Sequence, residues 1–188
     1  MTLQPLQVDT TPIEGLLVLR AKQVADERGV VRELYRASDL AAAGLEPLGR
    51  IVQVNLTETR HGAVRGIHAE AMTKLVGVAS GEGFGAYVDL RSHSPSRGVV
   101  HTVHLVPGVQ VLVPQGVGNG FQATAPGPTQ YLYCFDAEWQ PDMPGRAVSP
   151  LDGGLGIAWP LPIDAADRAQ ISAKDAGAPA LDQVLTAE

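Results

Sequence analysis

The segment Arg65-Gly66-Ile67-His68-Ala69-Glu70, with Lys74 four residues further on, gathers ionisable side chains around one histidine. On a strand His68 and Glu70 point to the same face, and Gly66 lets another group approach closely. Histidine takes up and returns a proton near neutral pH, while Lys74 and Arg65 suit a developing oxyanion. Together these are the groups that enolisation of a carbonyl compound needs. Taken alone, a single histidine near the start of a strand is more often a hydrogen-bonded structural residue, so type and spacing leave both readings open.

Other candidates are weaker. Gly81-Glu82-Gly83-Phe84-Gly85 lies within a β-rich stretch and is not followed by a helix, which excludes a phosphate-cradling dinucleotide loop. Cys134, beside Tyr133, reads as buried filling more readily than as a nucleophile. Lys174-Asp175 fits either an exposed ion pair or a carboxylate set against a histidine, and the sequence does not choose.

The elements that must position these residues are mostly strands. Gly (21) and Pro (14) are spread along the chain, as many short strands joined by tight turns require. Thr73 to Leu90 reads as a hairpin around Ser80-Gly81-Glu82-Gly83, and Val99 to Leu105 with Val109 to Val113 as a second pair around Pro107-Gly108. Val109, Val111 and Val113 alternate with Gln110 and Leu112, which predicts a strand with one strongly buried face. Gln130 to Phe135 is a further strand. Helix is expected only at Ser38 to Gly44, with Ser38 as N-cap and Gly44 as stop, and more weakly near Ala165 to Ala173. Six or more strands with regular turns predict an all-β jelly roll whose concave interior holds a small ligand.

At 188 residues, with no repeat, linker or low-complexity tract, the chain is expected to form a single domain over residues 1–188. A net charge of -6 without clustered Lys and Arg argues against a nucleic-acid partner. Cys134 is the sole cysteine, which excludes an intrachain disulfide and suits a reducing cytoplasm. No basic, apolar N-terminal leader and no apolar run of about 18 residues is present, so a soluble protein without a membrane partner is expected.

A set of short motifs occurs in order over about residues 25 to 180: Asp26-Glu27-Arg28-Gly29 with Glu33, Gln53-Val54-Asn55, Arg65-Gly66-Ile67-His68, Val88-Asp89-Leu90-Arg91 with Ser94-Pro95, Pro114-x-Gly116 with Gly120-Phe121, Tyr133, Ile157-x-Trp159-Pro160 and Lys174-Asp175. In this the chain resembles the dTDP-4-dehydrorhamnose 3,5-epimerase family. The resemblance implies a cupin-type double-stranded β-helix with a few short helices, a homodimer, no cofactor, and a dTDP-4-keto-6-deoxy sugar as substrate. It implies that His68 is the base that removes the proton α to the C4 ketone, with Asp175 as its dyad partner. Lys74 would stabilise the enolate oxygen and Tyr133 would return a proton to the opposite face. Arg28, Glu33, Gln53, Asn55 and Arg65 match positions that hold nucleotide, diphosphate and sugar, and Asn119 and Trp139 join that group as altered substrate-binding positions.

Several residues depart from the family pattern. Asn119-Gly120-Phe121 replaces His-Gly-Phe, His68-Ala69-Glu70 replaces His-x-Gln, Gly85 replaces an Asp, and Trp139 stands where Tyr is frequent. These departures also exhaust the ligands of a cupin metal site, since Glu70 stands where a second histidine would and Asn119 where the last one would. Metal is therefore not expected. Epimerisation at C3, C5 or both stays open, as does the pathway, rhamnose or antibiotic sugar. A 3,4-ketoisomerase and a non-catalytic sugar-nucleotide binding homologue are the alternatives.

Overall fold

Runs in which Val, Leu, Tyr and Phe recur at alternate positions, closed off by Gly and Pro, become strands because each run can lay an apolar face on a core. The computed structural model describes residues 1–45 and 51–187. Its strands are β1 (Thr2–Gln4), β2 (Gln7–Thr10), β3 (Leu17–Arg20), β4 (Lys22–Asp26), β5 (Gly29–Glu33), β6 (Gln53–Thr59), β7 (Val64–Glu70), β8 (Lys74–Ser80), β9 (Gly83–Asp89), β10 (Val100–Leu105), β11 (Val109–Val113), β12 (Val117–Ala123), β13 (Thr129–Phe135) and β14 (Gly145–Ala147). Three short helices, α1 (Ala37–Ala42), α2 (Ala173–Ala176) and α3 (Leu181–Thr186), and a 3-10 turn at Gly153–Leu155 complete the described elements.

Two antiparallel sheets face each other, one in the order β10-β9-β12-β7-β14 and the other in the order β2-β3-β11-β8-β13-β6. A small third sheet, β1-β4-β5, is formed by the N-terminal strands. This is the jelly roll expected from the turn pattern. The two strand pairs within it are not hairpins, however. β8 pairs with β11 and β13 while β9 pairs with β10 and β12, so the Ser80–Gly83 turn carries the chain from one sheet to the other, and Pro107-Gly108 does the same between β10 and β11. A glycine turn serves a hairpin or a corner equally well. The corner wins here because Val76 and Val78 of β8, Tyr87 of β9, Leu105 of β10 and Val109, Val111 and Val113 of β11 all point into the one core between the sheets.

Both sheets are also covered outside. Ile67, Ala69, Val88 and Leu90 pack beneath Leu155, Leu181 and Val184, and Leu19, Leu75 and Cys134 pack beneath Leu40 of α1. Gln110 is accordingly buried, and the β11 strand has apolar cover on both faces. α1 starts two residues earlier than expected, with Arg36 rather than Ser38 at the N-cap, and the chain leaves it through Gly44 at φ +75°. Of the stretch 165–173, residues 165–172 form turns and bends rather than a helix, and only Ala173 is helical, as the first residue of α2. The Asp164 and Asp167 carboxylates accept the backbone N–H of Ala166 and Ala169, local bonds that compete with helix formation. The helices come later, where Ser172 caps α2.

Candidate active site

β7 runs through the five-stranded sheet beside β12, and at Gly66 the two backbones nearly touch. Gly66 has φ +102°, and a Cβ there would lie 2.6 Å from Gly120 Cα and 2.7 Å from the Asn119 carbonyl oxygen, where the β7–β12 register breaks. Only glycine fits. This brings Asn119 of β12 opposite His68, and both side chains line a cavity of about 440 Å³ between the sheets.

α2 supplies the partner of His68. Ser172 Oγ accepts the Asp175 N–H at 3.0 Å, fixing the first turn, and the buried Asp175 side chain reaches back to β7. Its Oδ1 lies 2.7 Å from His68 Nε2 and its Oδ2 accepts the Gly66 N–H at 3.4 Å. Burial raises the Asp175 pKa, but the hydrogen bond and charge of His68, with Ser172 and the Gly66 N–H, outweigh it and hold the carboxyl below its usual value. A carboxylate can only accept, so Nε2 carries the proton of a neutral His68 ring and Nδ1 keeps the lone pair. Lys174-Asp175 thus places its carboxylate against the histidine.

Lys74 opens β8 on the facing sheet and is buried, 3% exposed. Its ammonium donates to the Glu70 carboxylate, to the His68 carbonyl oxygen at 3.2 Å and to Asn119 Oδ1 at 3.3 Å. Asn119 Nδ2 in turn donates to the Tyr131 hydroxyl at 3.4 Å. Burial pulls the Lys74 pKa down, and the Glu70 carboxylate pushes back.

Tyr133 enters the cavity from β13, across from His68, with its ring against Tyr131 (centroids 4.7 Å) and Phe135 (5.7 Å). Burial drives its pKa well up, opposed by the Arg65 guanidinium and reinforced by the Glu70 and Asp175 carboxylates. Its phenol is therefore protonated at neutral pH and can give a proton. His68 and Tyr133 come from facing sheets and line one cavity together with Lys74.

Asn55, Arg65 and Trp139 line the same cavity, with Arg65 Nε donating to Thr59 Oγ1 at 2.9 Å. Gln53 acts one step away: its Oε1 accepts the Trp139 N–H at 2.8 Å, and its Nε2 donates to Asn55 Oδ1 at 3.1 Å. Arg28 and Glu33 are not brought to this cavity in the single chain. Arg28, 90% exposed, pairs with Asp26 at 2.6 Å, and Glu33 pairs with Arg36 at 2.5 Å and Lys22 at 3.3 Å. They sit on the β4–β5 turn and on β5, outside the two facing sheets.

Sequence reasoning missed Thr57, Phe135 and Ser172, which also line the cavity. Thr57 and Phe135 follow Asn55 and Tyr133 at a spacing of two, so alternation could have found them. Ser172 stands three residues before Asp175, the spacing of an N-cap. A neighbouring cavity of about 340 Å³ shares Arg65, Ser172 and Asp175 and adds Arg60 and Arg168. The Gly85 departure also has a structural counterpart: a Cβ there would lie 2.7 Å from the Tyr87 hydroxyl, so the buried Tyr87 ring fills that space. Among the described residues, no group of three or more His, Cys, Asp and Glu is placed to hold a metal ion.

Comparison with known proteins agrees with this geometry. The family model for dTDP-4-dehydrorhamnose 3,5-epimerase matches residues 10–183. The chain is 34% identical over 187 residues to the dTDP-4-dehydrorhamnose 3,5-epimerase of Salmonella typhimurium, covering 95% of this chain and 97% of that one. It is 35% identical over 166 residues to the dTDP-4-dehydrorhamnose 3-epimerase of Streptomyces niveus, covering 85% and 76%. The structure of the dTDP-6-deoxy-D-glucose-3,5-epimerase of Legionella pneumophila, solved in complex with dTDP-4-keto-L-rhamnose, superposes with a TM-score of 0.83 at 30% identity, covering 95% of this chain and 94% of that one. With ordered motifs, matching fold and a match over nearly its whole length, the chain belongs to the dTDP-4-dehydrorhamnose 3,5-epimerase family.

Proposed function

We propose that this chain epimerises a dTDP-linked 4-keto-6-deoxyhexose at C3, C5 or both, with His68 as base, Lys74 as enolate stabiliser and Tyr133 as the opposing acid. The observation that carries this reading is that the His68–Asp175 pair and Tyr133 face one cavity from opposite sheets, with Lys74 buried beside them. His68 Nδ1 takes the proton α to the C4 ketone, and the C–H electron pair moves into the carbonyl to give an enolate. A buried Lys74 N–H stabilises that oxygen far better than water could. Tyr133 then gives its proton to the other face, inverting the carbon. Asp175 stabilises the imidazolium formed in the first step, and both groups reset by exchange with solvent.

The exposed arginines at the cavity mouth suit the diphosphate. Arg65 lines both cavities, and Arg60 and Arg168 extend the positive wall. The test is incubation with dTDP-4-keto-6-deoxyglucose and identification of the product by NMR. A C3 or C5 epimer supports the reading, a 3-keto isomer replaces it with a ketoisomerase, and unchanged substrate contradicts it.

The same reading takes the active form to be a homodimer. β5 and β6 are both sheet edges, and both present apolar side chains to solvent: Val30 and Val31 on β5, and Val54 and Leu56 on β6 with Val52 just before it. Such edges invite pairing. Exchange of β5 between two copies would cover the apolar face of β6 and carry Arg28 and Glu33 toward Gln53 and Asn55. Sedimentation velocity tests it: a dimer is expected, and a monomer active at assay concentration contradicts it. The lone buried Cys134 agrees with a cytoplasmic site of action.

A further inference from the structure

The His68 face of β7 carries a second ionisable side chain, Glu70, that the reaction outlined above does not use. Its carboxylate meets the ammonium of Lys74, a residue only 3% exposed. The other two N–H bonds of Lys74 go to neutral oxygens, the His68 carbonyl and Asn119 Oδ1. Glu70 is thus the anionic member of the three acceptors. We propose that Glu70 is a positioning residue that keeps Lys74 protonated and aimed into the cavity, so that the enolate meets a full positive charge; this rests on the epimerase reading of the site.

Three donors and three acceptors make a closed set around Lys74. A substrate oxygen must take over one of them, and the neutral contacts at 3.2 and 3.3 Å are the ones to yield, because the ion pair is the strongest bond present. Other charged or titratable groups surround the same cavity. His68 lies beside it on β7, Tyr131 and Tyr133 on β13, Asp175 and Lys174 on α2, and Arg65 at the mouth. Asp175 already pairs with His68, so its charge is largely compensated. Arg65 and Lys174 repel a further cation. Glu70 alone bonds Lys74 through an anion. Burial disfavours the charged lysine, and the Glu70 carboxylate is the main opposing influence.

The chain has only three lysines, Lys22, Lys74 and Lys174, which makes a direct titration practical. In protein labelled with 13C at lysine Cε, three signals are expected, and the one lost in Lys74→Arg is Lys74. The proposal expects Lys74 charged at pH 7 in the wild type and its midpoint lowered by about one unit or more in Glu70→Gln, a tenfold or greater loss of proton affinity. Glu70→Asp, with shorter reach, should fall between and serves if the glutamine variant folds poorly. In the activity arm, the alkaline limb of kcat/KM moves to lower pH by the same amount. An unchanged Lys74 midpoint in both variants, or a neutral Lys74 in the wild type at pH 7, overturns the proposal, whereas a structural role alone would move the melting temperature without the midpoint. The titration needs no substrate. Absence of turnover would count against the epimerase reading and leave the Glu70 result standing.

Discussion

Asp175→Asn separates orientation of the histidine from its presence. In the wild type the two carboxylate oxygens accept two bonds, from His68 Nε2 at 2.7 Å and from the Gly66 N–H at 3.4 Å. Asparagine has one acceptor oxygen. Kept on Gly66, that oxygen turns the amide N–H₂ toward Nε2, which must then accept, so the ring proton moves to Nδ1 and the base is lost. Pointed at His68, it leaves the Gly66 N–H unsatisfied and still removes the charge that stabilises imidazolium. Either way the barrier rises without loss of a cavity-lining volume. A drop in kcat of about 10²–10⁴, roughly 3–5 kcal/mol, is expected with KM changed by less than about threefold. The assay is single-turnover conversion of dTDP-4-keto-6-deoxyglucose across pH. The variant has a second signature in stability. Asp175 is held below its ordinary pKa in the fold, so its contribution is present above the unfolded carboxylate range and lost as pH falls through the lower folded value. The wild type should therefore lose part of its advantage over Asp175→Asn on acidification. Wild-type kcat in the variant, or a loss confined to KM, would refute the dyad.

Three further outcomes follow from the geometry. Tyr133→Phe keeps the packing on Tyr131 and Phe135 but removes the acid, so kcat for inversion should fall about 10²–10³-fold while solvent exchange at the abstracted position continues, read by NMR in D₂O. Gly66→Ala drives a methyl into the Gly120 and Asn119 backbone at a positive φ and should cost more than about 2 kcal/mol in urea unfolding. Asp89 is fully buried and bonds Arg91, Ser94 and Ser96; burial alone would raise its pKa, but these bonds hold it far below the carboxylate range. Asp89→Asn should lose about 3 kcal/mol at neutral pH, the low end for a broken buried pair because Arg91 keeps some solvent, and the gap should narrow in acid as the wild-type carboxylate protonates.

The strands were legible because their alternation is local, whereas their partners were not. Ser80–Gly83 and Pro107-Gly108 look like hairpin turns, and only the shared core of Val76, Tyr87 and Val111 reveals them as corners between sheets. Residues 165–172 carry helix-forming alanines, but Asp164 and Asp167 tie the backbone into turns, and the helices at Ala173–Ala176 and Leu181–Thr186 follow. The site shows the same division. His68 and Glu70 share a face through strand periodicity, but Asp175 reaches His68 across 107 residues of chain, a pairing that no local spacing announces. The family motifs supplied it. What those motifs could not supply was the consequence of a departure: that Glu70 holds Lys74, and that Tyr87 occupies the space beside Gly85.

The most direct test of the whole account is deuterium incorporation into dTDP-4-keto-6-deoxyglucose by the wild type and by His68→Ala in D₂O, read at C3 and C5 by NMR. Incorporation at C3, C5 or both with the wild type, reduced by 10³-fold or so in His68→Ala at undiminished nucleotide-sugar binding, is the predicted result. No incorporation with the folded wild type, or equal incorporation in His68→Ala, would contradict it.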